Sequence, residues 1–226
     1  MPSRTRYTSP LHAAARFVAQ RGLLKPLIWR LATVTVLGRE QLRGLSAPFV
    51  VVSNHTSHLD APLIFGALPR KLSRYVAAGA AADYFFDVWW RKSLTALFFN
   101  AFPVDRTGLR GRKGLATSLL DDGVPLLLFP EGTRSRTGEM GAFKPGAAAL
   151  CISRDVPCLP IAILGAAEAM PYGKKWPERG RPPIYLVFGE PMRPEDGETA
   201  SAFSERMAKE VTGLYDYAMT YRAEHG

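Results

Sequence analysis

The chain has 226 residues, of which 47% are hydrophobic and 22% are charged, and its formal net charge is +9. This composition excludes a disordered or collagen-like protein, and the length suits one domain with a substantial core. No apolar run approaches the roughly 18 residues that a helix needs to cross a bilayer, so no transmembrane helix is predicted.

The first residues of the chain and its two cysteines carry little information about function. The basic first residues are not followed by a short apolar core with a cleavage site, so no signal peptide is predicted. Six residues separate Cys151 from Cys158, a spacing that fits no usual zinc site. We therefore expect two reduced cysteines in a cytoplasmic protein, and no metal.

The amino-terminal part of the chain is strongly basic. Seven basic residues precede the first acid, Glu40: Arg4, Arg6, Arg16, Arg21, Lys25, Arg30 and Arg39. Apolar residues alternate with these charges, which favours an anionic lipid surface over nucleic acid as the partner.

Residues 11–24 have the periodicity of an amphipathic helix. Gly22 is typical of a helix end, and Pro26 is typical of a helix start. The pattern predicts that residues 1–35 form a helical hairpin in front of an α/β domain at 36–226. Two interpretations of the hairpin remain open, an interfacial membrane anchor and a cap packed on the core.

Strand-like and helix-like segments then alternate along the chain, which predicts an α/β fold with a mostly parallel central sheet flanked by helices. The predicted strands are residues 33–37, 49–53, 74–78, 126–129, 159–164 and 184–188. The predicted helices are residues 59–68, 83–100, 110–121, 144–154 and 200–222.

Residues 83–102 are unusually aromatic. They contain eight of the 24 aromatic residues, with Arg91 and Lys92 between them. Aromatic rings beside cations are typical of a bilayer interface, although aromatic residues also serve ordinary core packing. The segment is therefore interpreted either as a membrane or acyl-chain contact or as a core helix.

A first polar cluster follows the predicted strand 49–53, at the end of a parallel strand where α/β proteins bind ligands. His55 can accept and return a proton near neutral pH, and it needs a partner to hold its tautomer. Asp60 can reach His55 only if His55 lies in the loop before a helix and Asp60 lies in the first turn of that helix. His58, two residues before Asp60, is a rival of His55 as the partner of Asp60. Because no nucleophile elbow is present, the pair indicates direct general-base activation of a hydroxyl.

A second polar cluster, residues 131–134, follows the predicted strand 126–129. Thr133 and Arg134 supply donors for an anionic group, and Gly132 permits close backbone approach. Lys144, at the start of a predicted helix, and Arg106 add further cations.

Four segments in order resemble the 1-acylglycerol-3-phosphate (lysophosphatidic acid) acyltransferase family, with its glycerolipid acyltransferase domain. They are Asn54-His55-(four residues)-Asp60, the segment that ends in Asp105-Arg106, Phe129-Pro-Glu-Gly-Thr-Arg-Ser135, and Val156-Pro-Cys-Leu-Pro-Ile161. The likeness covers roughly residues 45–192, and the ordered set is far more specific than the His–Asp block alone.

The resemblance implies an O-acyltransferase that moves a fatty acyl group to 1-acylglycerol-3-phosphate and gives phosphatidic acid. Acyl-CoA or acyl carrier protein would be the donor substrate, with no bound cofactor. His55 would be the catalytic base and Asp60 its partner. Arg106, Glu131, Gly132, Thr133, Arg134 and Lys144 would bind the acceptor. Backbone N–H groups near His55 are a first guess for the oxyanion donors.

The resemblance also implies a fold with a two-helix membrane-binding motif and a peripheral or monotopic place at the cytoplasmic face of a membrane. Its partners would be anionic membrane lipids, the lysophospholipid acceptor, the acyl thioester donor and, as a further partner, acyl carrier protein. A different lipid acceptor, such as lyso-ornithine lipid or a glycolipid, stays open, because the segment around Phe102 departs from the family pattern. A binding protein without catalysis is a third hypothesis, and the chain lacks a recognisable nucleic-acid motif.

Overall fold

The computed structural model describes residues 5–81, 97–104, 113–174 and 176–226. The predicted helix 83–100 lies mostly outside these residues; only 97–100 of it is described, and within that stretch 97–99 is helix. Most of the aromatic segment 83–102 lies outside them as well, as does Arg106.

The described chain forms a seven-stranded sheet in the order β1-β7-β6-β2-β5-β3-β4. The strands are β1 Thr33–Leu37, β2 Val50–Ser53, β3 Ala77–Ala81, β4 Phe102–Val104, β5 Leu126–Leu128, β6 Cys158–Leu164 and β7 Pro183–Phe188. Neighbouring strands are parallel apart from β6 and β7, which are antiparallel. The predicted mostly parallel α/β sheet is confirmed, and β4 is a strand that the sequence pattern did not predict.

Helices cover both faces of this sheet. They are α1 Thr5–Thr8, α2 Pro10–Val18, α3 Lys25–Leu31, α4 Asp60–Ala67, α5 Arg70–Ser73, α6 Lys113–Asp121, α7 Gly146–Arg154, α8 Ala166–Ala169 and α9 Ala200–His225. One core cluster packs α3 and α4 on one face of the sheet, whereas Tyr7 of α1 belongs to the cluster on the other face. A second cluster packs α6, α7 and α9 on the other. All four residues of β2 are buried, as expected for a central strand covered on both sides.

The predicted hairpin turn at Gly22 is wrong. A π-helical segment, Ala19–Leu24, joins α2 to α3, and the residues at both junctions have right-handed helical backbone angles. Gly22 does not take the left-handed conformation that ends a helix. Pro26 follows directly after the wider π turn, which relieves the clash that proline makes with the preceding helical turn. Residues 10–31 are therefore one continuous helix.

The inner side of this helix is fixed to α4. The Arg21 guanidinium donates to the carbonyl oxygens of Gly66, at 3.0 Å, and Leu68, at the carboxyl end of α4. A cation is favoured there because the last helical carbonyls carry partial negative charge. The Trp29 ring lies over Gly66 so closely that a Cβ atom at residue 66 would come within 2.6 Å of it.

A second buried contact lies nearer the start of the helix. Arg16 is only 3% exposed and donates to Asn100 Oδ1 at 2.8 Å. Burial, with a smaller effect from the positive charge of Arg6, lowers the pKa of Arg16 to about 10. The amino-terminal helix thus packs as a cap on the core along one side.

The other side of the same helix is apolar and exposed. Leu11, Val18, Leu23 and Leu27 are all exposed, and Leu97 is exposed as well. We call these five residues the apolar stripe. Within the described residues, no helix has both the length and the apolar character needed to span a membrane.

Candidate active site

The two polar clusters meet at one edge of the sheet. Strands β2 and β5 are parallel neighbours, with Val52 paired to Leu128, so the loops that follow them leave the sheet side by side. The loop after β2 carries His55, and the turn after β5 carries Glu131 and Arg134. The site therefore lies beyond the carboxyl ends of the strands, where ligands bind in open α/β sheets.

His55 and Asp60 are in direct contact. His55 lies in the loop before α4, Asp60 is the first residue of α4, and His55 Nδ1 is 2.8 Å from Asp60 Oδ2. The Asp60 side chain is fully buried, whereas the His55 side chain is 21% exposed. A carboxylate can only accept hydrogen bonds, so Nδ1 carries the proton and the lone pair of the ring is on Nε2. This is the arrangement of a general base with an orienting partner.

Asp60 also holds the loop that carries its partner. Its Oδ2 atom accepts the backbone N–H groups of Thr56, at 2.8 Å, and Ser57, at 2.9 Å. Its Oδ1 atom is buried and has no hydrogen-bond partner among the described residues. The expectation that backbone N–H groups near His55 stabilise an oxyanion needs correction for Thr56 and Ser57, because both already donate to Asp60.

The segment after β5 clamps His55 from three directions. The Phe129 ring stacks on the imidazole with 3.9 Å between centroids and 16° between planes. Glu131 Oε1 accepts the His55 N–H at 2.7 Å, and the Ser135 N–H donates to the His55 carbonyl oxygen at 2.8 Å. Ring and backbone of His55 are thus both fixed by a neighbouring loop.

Glu131 links this clamp to a second loop. It is 7% exposed, and its Oε2 atom accepts the Gly141 N–H at 2.9 Å. Burial raises the pKa of Glu131, while the hydrogen bonds from Gly141 and His55 act in the opposite direction. Because each carboxylate oxygen already accepts a backbone N–H, we interpret Glu131 as a residue that positions His55 rather than one that contacts the acceptor.

The remaining predicted binding residues gather around one turn. Gly132 has φ +76°, and the Lys144 side chain crosses it so closely that a Cβ atom there would lie 2.9 Å from Nζ. Thr133 and Lys144 are exposed. The Arg134 guanidinium lies 4.8 Å from the Tyr172 ring centroid. Thr133, Arg134 and Lys144 therefore surround the Gly132 turn, where they offer donors and positive charge to an anion.

His58, the rival of His55, does not form the catalytic contact; the hydrogen bond to Asp60 comes from His55. Burial lowers the pKa of His58, the positive charge of Arg134 lowers it further, and the negative charge of Asp60 acts in the opposite direction. Arg134 therefore lies within electrostatic range of His58.

Sequence reasoning missed the residues that anchor the site to β6 and β5. Asn54 donates to the Ile163 carbonyl oxygen at 2.9 Å and accepts the Ile163 N–H at 2.8 Å, so it ties the end of β2 to β6. Phe129 was named only as the last residue of a predicted strand and the first residue of a family segment, with no role of its own. The one available signal for both was their position beside a block that carries chemistry.

Comparisons with known proteins show the family of the chain. The Acyltransferase family model matches residues 33–164. The 1-acyl-sn-glycerol-3-phosphate acyltransferase of Pseudomonas aeruginosa is 30% identical over 208 residues, which cover 87% of this chain and 74% of the relative. A 1-acyl-sn-glycerol-3-phosphate acyltransferase from Chlamydomonas reinhardtii is 33% identical over 144 residues, 63% of this chain and 42% of the relative. The chain thus matches about two fifths of the length of that relative and of the chloroplastic enzymes of Brassica napus and Arabidopsis thaliana.

A solved structure has the same fold. The crystal structure of the 1-acyl-sn-glycerophosphate (LPA) acyltransferase PlsC from Thermotoga maritima aligns with a TM-score of 0.69 at 25% identity, over 88% of this chain and 79% of that chain. Since the family model covers more than half of the sequence and the Pseudomonas relative aligns with most of it, the chain belongs to the Acyltransferase family.

Proposed function

We propose that the protein is a 1-acylglycerol-3-phosphate O-acyltransferase. It would move a fatty acyl group from acyl-CoA or acyl carrier protein to the free hydroxyl of 1-acylglycerol-3-phosphate and so give phosphatidic acid. The observation that carries this proposal is the 2.8 Å contact between His55 Nδ1 and Asp60 Oδ2 at the ligand-binding edge of the sheet. The names of the relatives support the choice of substrate.

The reaction would be direct transfer. His55 Nε2 takes the proton of the acceptor hydroxyl as its oxygen attacks the thioester carbonyl carbon, and Asp60 stabilises the imidazolium. The tetrahedral intermediate then collapses, the carbon–sulfur bond breaks, and the leaving thiolate recovers a proton from His55. No acyl-enzyme is needed, because Ser57 Oγ donates to the Met170 carbonyl oxygen and both cysteines are buried.

The acceptor phosphate would lie at the Gly132 turn. Arg134 and Lys144 supply the positive charge and Thr133 a hydroxyl donor, in the turn whose flanking residues Glu131 and Ser135 bind the backbone of His55. Arg106 remains a predicted further ligand. Glu131 would act through His55, as a positioning residue.

The amino-terminal helix would bring this site to lipid. Its apolar stripe faces away from the core, and the start of the chain is basic, which together suit a helix lying in the plane of an anionic membrane. We propose peripheral docking of the region 1–35 on the cytoplasmic face of a membrane.

Replacing His55 with Ala should remove the general base and lower kcat by about 10²- to 10⁴-fold. Release of free thiol from acyl-CoA in the presence of 1-acylglycerol-3-phosphate measures this. His58→Ala is the matched control and should retain most of the activity. Full activity in a folded His55→Ala protein would remove the proposed mechanism.

Glu131→Gln should lower kcat with little change in KM for the acyl thioester donor or in KM for the lysophospholipid acceptor. Glutamine has one oxygen where Glu131 uses two, so it leaves one buried N–H unpaired at about 1–3 kcal/mol and loosens His55. Glu139→Gln, an exposed change in the same loop, is the control. A rise confined to the acceptor KM would instead place Glu131 against the acceptor.

Arg134→Ala should raise KM for 1-acylglycerol-3-phosphate by about tenfold or more, since a charged hydrogen bond contributes about 1.5–3 kcal/mol. KM for a monoacylglycerol acceptor, which lacks the phosphate, should change little. The exposed Arg43 provides the control, as Arg43→Ala. Equal losses for both acceptors would argue against a phosphate contact.

The double variant Leu23→Ser/Leu27→Ser should weaken binding to anionic liposomes by about tenfold or more, because burial of a leucine contributes about 1.5–3 kcal/mol. Flotation with vesicles of defined anionic lipid content measures the bound fraction. Met219→Ser, which changes an exposed apolar residue on α9, should bind as the wild type does. Unchanged binding by the double variant would show that the stripe is not the docking surface.

A further inference from the structure

A cavity of about 440 Å³ opens next to the catalytic loop and has no part in the function described so far. It lies between the turn 135–138, the segment 165–172 and Tyr215 of α9. Thr56, which follows His55 directly, forms part of its wall. The cavity therefore leads from solvent to the immediate neighbourhood of the reactive imidazole.

The wall of this cavity is rich in hydroxyl groups. They belong to Thr56, Ser135, Thr137, Tyr172 and Tyr215. Ile163, Ala167 and Pro171 supply the apolar part of the wall. Such a mixed lining suits a ligand in which neutral hydrogen-bonding groups alternate with short apolar segments.

Two charged side chains border the cavity. Arg136 is exposed, lies 5.4 Å from the Tyr172 ring centroid and provides an anion contact at the mouth. Glu168 makes a bidentate ion pair with Arg222, at 2.9 and 3.0 Å, so its negative charge is already matched. Arg134 lies 4.8 Å from the same Tyr172 ring centroid, so an anionic group at the mouth would meet Arg136 with a second positive charge nearby.

The position of the cavity separates it from the lipid side of the protein. The apolar stripe belongs mainly to the helix that packs on α4, on one face of the sheet. The cavity includes Tyr215 of α9, which packs on the opposite face, but also Ile163, which belongs to the same core cluster as α4. The cavity therefore lies at the end of the sheet, between the two faces, and no residue of the apolar stripe lines it. A water-soluble substrate has a route to His55 that does not cross the stripe.

We propose that this cavity binds the phosphopantetheine arm of the acyl thioester donor. The arm has two neutral amides and one hydroxyl group that match the polar part of the lining, and its phosphate would lie at Arg136. Its sulfur end would point towards Thr56 and His55. The assignment rests on the proposed thioester chemistry, and it applies equally to coenzyme A and to acyl carrier protein, which share this arm.

Cysteine protection tests the assignment without turnover. Thr137→Cys places an exposed thiol in the cavity wall, while both native cysteines are buried and give little background labelling. Desulfo-coenzyme A, which has no thiol of its own, should slow maleimide labelling of this variant about tenfold at saturation. Ser153→Cys, exposed on α7, should be labelled at an unchanged rate. Absence of protection, or equal protection by 1-acylglycerol-3-phosphate, would overturn the assignment.

Filling the cavity with a bulky side chain tests the same assignment by kinetics. Ala167→Trp should raise KM at least tenfold for both acyl-CoA and acyl carrier protein thioesters and leave KM for the acceptor within about twofold. Ala149→Trp, on the exposed side of α7, is the control. If KM rose for acyl-CoA alone, the cavity would bind the nucleotide part of coenzyme A, and the proposal would be contradicted. The rates of the wild-type enzyme with each thioester show which donor it uses.

The two experiments also separate this inference from the proposed function. A wild-type protein that transfers no acyl group to any acceptor would refute the function, whatever the labelling result. An active wild type with an unprotected Thr137→Cys variant would refute only the cavity assignment.

Discussion

The site depends on one buried oxygen atom, Asp60 Oδ2. Three donors converge on it, His55 Nδ1 and the N–H groups of Thr56 and Ser57, all within 2.9 Å. A fully buried carboxylate is costly unless such donors compensate it, and the positive end of α4, where Asp60 begins the helix, adds to them. The same atom that orients the imidazole therefore shapes the loop that carries it.

Residues from neighbouring strands keep this loop in place. Asn54 joins the end of β2 to Ile163 of β6, and the segment after β5 stacks Phe129 on the imidazole and binds the His55 backbone through Glu131. Catalysis by a general base requires that the ring be placed within hydrogen-bond reach of its proton, and here both ring and backbone are fixed. In the proposed mechanism the Phe-Pro-Glu-Gly-Thr-Arg segment would combine two tasks, because Phe129 and Glu131 contact His55 and Arg134 would bind the anion.

Local patterns were sufficient to predict much of this arrangement. Apolar runs such as Val50–Ser53 identified buried parallel strands, and the loop-then-helix placement of His55 and Asp60 allowed their pairing to be expected before the fold was known. The partners of Glu131 lie 76 and 10 residues away, and spacing alone does not indicate them. At Gly22 the local signal was misleading, because packing of Arg21 and Trp29 on α4 stabilises a helix through a glycine that would otherwise end it.

The short helix α4 has a mechanical consequence. Its first residue, Asp60, is hydrogen-bonded to His55, the proposed base, and Arg21 of the amino-terminal helix donates to the carbonyl oxygens at its other end. Eight residues of α-helix span about 12 Å. A bilayer resting on the apolar stripe would be separated from the reactive nitrogen by a rigid spacer of nearly constant length. The depth at which a lipid must rise out of the membrane to react would then be set by the geometry of one helix.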